Sequence, residues 1–399
     1  MDNMDNIDVL IVDDSALMRN LVSRMLESAS GITVCTKAMN GEMALEKIPR
    51  YNPDIIILDL EMPVMTGLEF MRERKKANID IPVIILSSIA HRGAAVTIEC
   101  LELGASDFLL KPSNVGSEEL PKVAERLVEM VRSYGGSYAR KKGKKIPFFF
   151  TGISEERRSG SPAGTGAPAA PSGLAQAAST ALKKPEFYLP KAPAPAAPIQ
   201  AVRESGPIEI IAFGISTGGP NALREVFAGL SPDIRQPIVV VQHMPAGFTA
   251  EFAASLNNIC PLEVKEAAEG DVLKGGRILI APGGYHITVE KLRLASVIHT
   301  NQDPQRNGHR PSVDVLFESV VKEYQANALG IIMTGMGKDG AAELAELRRA
   351  GSRTLGQDAE SCVVYGMPRA AFELGAVQKQ VSLSKMAAEV NELALKYAP

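Results

Sequence analysis

Short apolar runs alternating with helix-like segments constrain this chain more than any other feature. In the N-terminal third they fall at residues 9–12, 32–36, 55–58, 83–86 and 108–110. The same alternation returns at residues 208–213, 238–241, 278–281 and 329–333, each run followed by a turn containing glycine or proline. Alternating βα units build parallel sheets covered by helices on both faces. The expectation is therefore two α/β domains, an N-terminal one around five parallel strands and a C-terminal doubly wound one. With 399 residues and 45% hydrophobic content, each can have its own core.

Between residues 146 and 207 the alternation stops. Ten of the 26 prolines lie there, mixed with Ala, Gly and Ser. Such a segment cannot bury enough apolar surface to offset its ordering entropy, so it reads as a disordered linker. The expected organisation is an N-terminal domain over 1–135, a linker over 136–206 and a C-terminal domain over 207–399. Two islands in the linker, Phe148-Phe149-Phe150 and Phe187-Tyr188-Leu189, are apolar enough to dock on a domain or a partner. The run Lys141-Lys142-Gly143-Lys144-Lys145 reads as a solvated linker edge.

Several function classes drop out. A net charge of -3 and the lack of a basic recognition helix give no reason to expect nucleic-acid binding. Cys35, Cys100, Cys260 and Cys362 are widely spaced and form no CxxC pair, which suits a reduced compartment rather than a disulfide framework or a zinc site. The acidic first residues are wrong for a secretory signal, and no apolar run approaches a membrane span. A cytoplasmic protein with no direct membrane insertion is expected.

Open α/β sheets hold ligands beyond the carboxyl ends of their strands. In the N-terminal domain Asp13 and Asp14 end the first apolar run, Asp59 the third, Ser87 the fourth and Lys111 the fifth. Three converging carboxylates repel unless a cation sits among them, and oxygen-only ligation suits Mg2+. In that setting Asp59 attacks a phosphoryl group, Lys111 neutralises its oxygens and the Ser87 hydroxyl bonds the product. An isolated Asp after a strand is more simply a helix N-cap, but here five positions agree.

These residues resemble the receiver domain of two-component response regulators. The matching stretches are Val12-Asp13-Asp14-Ser15, Leu58-Asp59-Leu60-Glu61-Met62-Pro63, and Gly104-Ala105 running on to Lys111-Pro112. The resemblance implies a flavodoxin-like fold, Asp59 as phospho-acceptor, Asp13 and Asp14 with Asp59 as the metal site, and Ser87 and Phe108 at the switch positions.

The C-terminal domain opens with a strand, the turn Gly214-Ile215-Ser216-Thr217-Gly218-Gly219 and a helix from Asn221. That context lifts a small hydroxyl residue to the sheet edge beside helix N-terminal N–H groups. Taken alone, the turn fits a nucleophile or a phosphate cradle equally. A serine nucleophile needs a base. Of the five histidines, His243 directly ends the strand beside it and shares the edge with Ser216. Asp339, after the strand at 329–333, is the orienting acid on that edge; otherwise it would cap the helix that follows at 341–349. An ordinary α/β-hydrolase would run serine, acid, histidine, whereas the order here is serine, histidine, acid.

Residues 208–377 look like the catalytic domain of the chemotaxis protein-glutamate methylesterase (CheB) family. The stretches that carry the likeness are Gly214 to Pro220, Val241-Gln242-His243-Met244, His309-Arg310-Pro311-Ser312-Val313-Asp314 and Thr334 to Ala341. The resemblance implies a Ser216-His243-Asp339 triad that hydrolyses glutamate methyl esters on chemoreceptors, and often deamidates receptor glutamines, with no cofactor for the esterase. Backbone N–H groups at Thr217 and Met336 are the oxyanion candidates, and Arg310 either receives the receptor helix or makes a structural salt bridge. Phosphorylation of Asp59 by the chemotaxis histidine kinase would relieve inhibition by the receiver and so serve sensory adaptation. A phosphate sink with a vestigial site, or a hydrolase of another ester or amide, are the readings that methanol release from methylated receptors separates from this one.

Overall fold

A computed structural model describes residues 4–88, 91–111, 120–147 and 199–399. The two aromatic islands and nearly all of the expected linker lie outside them. The N-terminal domain runs β1 (Ile7–Val12), α1 (Ala16–Glu27), β2 (Ile32–Ala38), α2 (Gly41–Tyr51), β3 (Ile55–Asp59), α3 (Gly67–Lys76), β4 (Val83–Ser87), α4 (His91–Glu102), β5 (Asp107–Leu110) and α5 (Leu120–Met130). Its strands form one parallel sheet in the order β2-β1-β3-β4-β5. Alternation along β1 divides the core between the two faces. Val9 and Ile11 pack with Val22, Leu26 and Leu127, while Leu10 and Val12 pack with Ala44, Ile48 and Phe70. Burial on both faces explains why these strands read as continuous apolar runs.

Helical structure does not stop at residue 135, where the domain was expected to end. A π-helical turn (Val131–Gly135) leads straight into α6 (Gly136–Lys141), and Ile146 is buried in the core. Lys141 and Lys145 of the lysine run are exposed as a solvated edge would be, but Lys142 and Lys144 are not. Lys142 Nζ lies 2.9 Å from Asp54 Oδ1, and Lys144 Nζ lies 2.6 Å from both Asp54 Oδ2 and Asp8 Oδ2. Asp54 is fully buried and also accepts the Asp8 N–H. Composition made these lysines look like linker because their acceptors lie about 90 and 136 residues upstream.

The C-terminal domain is built on β6 (Ile210–Ile215), α7 (Gly219–Ala228), β7 (Ile238–Gln242), α8 (Phe248–Asn257), β8 (Glu263–Glu266) and β9 (Arg277–Ile280). A hairpin of β10 (His286–Lys291) and β11 (Ser296–Asn301) precedes α9 (Val313–Tyr324), β12 (Ala328–Ile332), α10 (Ala341–Arg349), β13 (Arg353–Gln357), α11 (Met367–Glu373), β14 (Lys379–Val381) and α12 (Leu383–Lys396). Seven parallel strands pair in the order β14-β13-β12-β6-β7-β9-β8, which is the doubly wound arrangement expected. The chain reverses direction across the sheet between β6 and β12, and ligand crevices open at such points. The antiparallel β10-β11 hairpin, the inner strand β13 and the edge strands β8 and β14 are additions to the expected set; β8 and β14 have only four and three residues.

One apolar cluster is shared by both domains. Ile98, Leu101 and Phe108 of the N-terminal domain belong to it together with Phe248, Phe252 and Leu256 of α8. Among the described residues no helix is long and apolar enough to cross a membrane.

Replacing Asp54 by Ala would take from Lys142 its carboxylate and leave Lys144 with Asp8 alone, at a cost of about 2 kcal/mol once their partial exposure is discounted. Amide exchange through opening of β1 and β3 should then quicken about 30-fold. An unchanged exchange rate would show that the lysines do not anchor the segment after α5.

Candidate active site

Ser216 follows β6 directly, in a turn that the sequence builds from glycines for steric reasons. Gly218 has φ of +79°, and a Cβ at Gly214 would lie 2.2 Å from Val313 Cγ1. His243 follows β7, and Asp339 lies in the loop between β12 and α10. Because β12, β6 and β7 are adjacent and parallel, the three residues meet at one sheet edge. Ser216 Oγ is 3.0 Å from His243 Nδ1, and His243 Nε2 is 2.8 Å from Asp339 Oδ2. All three are buried.

The acid fixes the roles of the ring nitrogens. Burial by itself would push the Asp339 carboxyl up, but the bonds from His243, Ser312 and Asn307 hold it far below the ordinary carboxylate range. Asp339 is therefore ionised and acceptor-only, so Nε2 carries the proton and Nδ1 presents a lone pair to the Ser216 hydroxyl. Asp339 Oδ1 also accepts from Ser312 Oγ at 2.7 Å and Asn307 Nδ2 at 2.8 Å, and Oδ2 accepts from Val313 N at 2.6 Å. The helix it caps is thus α9, through that helix's first N–H, and not α10 as adjacency in sequence suggested. A carboxylate at a helix N-terminus is favoured by the dipole and the unpaired N–H groups.

Around the trio, Gln242 Nε2 donates to the carbonyls of both Ser216 and His243, at 3.0 and 3.1 Å, and so ties the nucleophile turn to the strand of the base. Gly335 lies against Ser216, since a Cβ on it would be 2.8 Å from Ser216 Cβ. Among the described residues the N–H groups of Thr217 and Met336 are donated to no protein acceptor, whereas the next one, Gly218 N, is. Arg310 makes no salt bridge among the described residues: its Nη1 donates to the backbone carbonyls of Gln302 and Asp303. The other C-terminal histidines take different places. His299 bonds Glu269 and Glu290 on the exposed hairpin, while buried His286 accepts from Ser312 N and faces the Pro304 carbonyl. His309 stacks flat on His243, with ring centroids 3.8 Å apart and an interplanar angle of 13°.

The N-terminal acids also converge. One oxygen from each of Asp13, Asp14 and Asp59 falls within a 4.8 Å cluster, and Lys111 Nζ lies 2.9 Å from Asp13 and 2.8 Å from Asp59. Hard carboxylate oxygens in this number fit a Mg2+ ion that completes its shell with water and phosphoryl oxygens. A cavity of about 220 Å³ opens beside Asp59, lined by Glu61, Thr66, Ser88 and Gly93 among others. Ser87 is buried, accepting from Thr97 Oγ1 and donating to the Ser88 carbonyl.

The second switch candidate, Phe108, reaches the other domain. Its ring stacks on Phe248 with centroids 5.0 Å apart. Its neighbour Asp107 accepts a 2.8 Å hydrogen bond from Gly218 N, two residues after Ser216. Asn221 Nδ2 donates to the Ala105 and Ser106 carbonyls, and Arg224 pairs with Glu102. The start of β5 thus touches both the Ser216 turn and the helix that follows His243. Gln242, His309 and Ser312 stood in the matching stretches of the sequence with no role assigned, and Asn307 and Asp107 were not singled out. The one available signal was the tight Asn307-Gly308 pair beside a histidine.

Comparison with known proteins agrees with both halves. A family model described as CheB methylesterase matches residues 211–390, and one described as response regulator receiver domain matches residues 9–124. A protein-glutamate methylesterase/protein-glutamine glutaminase of Treponema pallidum is 52% identical, with 100% of each chain covered. That of Treponema denticola is 54% identical, covering 99% of this chain and 100% of its own. The solved CheB methylesterase catalytic domain of Thermotoga maritima is 35% identical over 47% of this chain and 99% of its own, with a TM-score of 0.46.

Burial and the neighbouring His243 press His309 down to about 3. The folded state then refuses a proton that the unfolded chain accepts near pH 6.5. Stability is therefore lost as pH falls from about 6.5 towards 3, and the loss is complete below 3. In urea unfolding of the C-terminal domain, His309→Phe should gain on the wild type across that window. A constant difference between the two would mean that His309 titrates normally.

Proposed function

The chain belongs to the CheB family of protein-glutamate methylesterases/protein-glutamine glutaminases, and on that premise we propose that Ser216, His243 and Asp339 hydrolyse glutamate methyl esters of chemoreceptors under control of phosphorylation at Asp59. The observation that carries this is the unbroken hydrogen-bond chain from Ser216 Oγ through His243 to Asp339.

In the acylation step His243 Nδ1 takes the Ser216 proton while Oγ attacks the ester carbonyl carbon. The tetrahedral oxyanion is received by the N–H groups of Thr217 and Met336, each such donor typically contributing about 3 kcal/mol. The Nδ1 proton passes to the leaving methoxy oxygen, methanol departs, and a glutamyl ester on Ser216 remains. His243 next deprotonates a water that cleaves this ester. Glutamine would follow the same course with ammonia as leaving group. Asp339 stays ionised throughout and holds Nε2–H in place.

In the receiver, Asp59 is the nucleophile towards the phosphoryl group and Lys111 balances charge at the product. Asp13, Asp14 and Asp59 would hold Mg2+, which when bound neutralises the phosphoryl oxygens. The chemotaxis histidine kinase is the proposed donor. Release of the catalytic domain then follows from local geometry. Ser87 and Phe108 lie on the adjacent paired strands β4 and β5, so a Ser87 hydroxyl drawn to the phosphoryl group disturbs the strand that carries Asp107 and Phe108. In the closed state the Asp107 side chain takes the N–H of Gly218, the residue after Thr217, and so lies on the turn where the oxyanion must form.

Methylated receptor membranes should release methanol with the wild-type chain, faster when a phosphodonor is present. Ser216→Ala should lose at least about 10⁴-fold in both conditions. Asp59→Asn should stay at the basal rate, and its strong activation by phosphodonor would sink the switch. Asp107→Ala should raise the rate without phosphodonor several-fold; an unchanged rate would remove Asp107 from the inhibitory contact.

A further inference from the structure

Residues 306–309 touch two members of the triad at once. The backbone closes on itself, with Arg306 N donating to His309 O at 3.2 Å and His309 N to Arg306 O at 3.0 Å. Asn307 and Gly308 both adopt left-handed backbone, with φ of 54° and 77°. That is the two-residue turn for which Asn-Gly is the preferred pair. Asn307 Nδ2 donates to Asp339 Oδ1 at 2.8 Å and to Asp314 Oδ2 at 2.6 Å. His309 lays its ring on that of His243. Arg306 moors the turn to two helices, through Glu318 of α9 and through Glu343 of α10 at 2.6 Å.

Two hydrogen bonds at the ring edge leave one motion of the catalytic imidazole poorly restrained. An imidazole held at Nδ1 and Nε2 can still rock about the line joining them, because its χ2 torsion is broad. Rocking swings the Nδ1 lone pair off the Ser216 O–H and the leaving oxygen, and small misplacements of a base are expensive. A second flat ring at stacking distance blocks that motion from one side. The charged or titratable groups around His309 are His243, Asp339 and Arg126 of α5. His309 is neutral at physiological pH, so it can lie against His243 in either of that ring's protonation states.

We propose that the turn at 306–309 is a positioning clamp for the catalytic base and its acid, in which His309 fixes the plane of the His243 ring and Asn307 fixes the carboxylate of Asp339. Neither residue touches the reacting atoms. The clamp rests on the serine-hydrolase reading above, and its test must separate the two.

A fluorophosphonate probe does so, because it reports the reactivity of Ser216 without a receptor substrate. Labelling rates are measured on the full chain with Mg2+ and acetyl phosphate, and normalised to the folded fraction from circular dichroism. His309→Ala should label about 10-fold more slowly, in keeping with a misplaced base. His309→Phe, which keeps a flat ring and loses both nitrogens, should recover most of that rate, and it also serves if the alanine variant folds poorly. Asn307→Ala should slow labelling to a similar degree. Wild-type labelling by His309→Ala, or a loss in His309→Phe as large as in His309→Ala, would overturn the clamp. Wild-type labelling of Ser216→Ala would overturn the hydrolase reading beneath it.

Discussion

A single buried carboxylate organises the catalytic half of this protein. Asp339 is 1% exposed, and an ionised group there is tolerable only if its oxygens are saturated with donors. The donors come from His243, Ser312, Asn307 and the first backbone N–H of α9. They lie on three separate segments, so the charge can be satisfied only when β7, β12, α9 and the turn at 306–309 are all in place. Folding of the domain and assembly of the site are then one event. The same saturation keeps Asp339 ionised, which dictates the tautomer of His243 and leaves Nδ1 as the basic nitrogen facing Ser216.

The junction between the domains works at a different scale. An aromatic pair such as Phe108 with Phe248 typically contributes about 0.5–1.5 kcal/mol beyond its buried area. A hydrogen bond to a charged group, as from Gly218 N to Asp107, typically adds about 1.5–3 kcal/mol. Contacts of this size can hold two domains together and still be outweighed by one covalent phosphoryl group. Their placement matters more than their sum, because one falls on the Ser216 turn and the other on the helix that follows His243. Separation of the domains therefore frees the nucleophile turn itself.

Much of this was legible in order along the chain. Asp13, Asp59 and Lys111 could be found because strand ends in a parallel sheet are also ligand positions, and Ser216 and His243 stood out by the same rule. Other features misled for reasons that are equally physical. Lys142 and Lys144 have the composition of a linker and the contacts of a core edge, since buried Asp54 is far away in sequence. Arg310 was open to a structural salt bridge and makes none among the described residues; its Nη1 donates to two backbone carbonyls instead.

The sequence by itself determined the strand and helix grammar, the parallel sheets and the residues at their carboxyl edges, because side-chain periodicity and turn chemistry are local. Tertiary structure alone decided which edges meet. The neighbouring positions of β12, β6 and β7 bring Asp339, Ser216 and His243 to one point, and the packing of α4 and β5 on α7 and α8 puts Asp107 on the nucleophile turn. Gln242, Asn307 and His309 acquire their roles in the same way. Their partners lie on other segments of the chain, and no local pattern records an interaction whose two ends are chosen by strand order and packing.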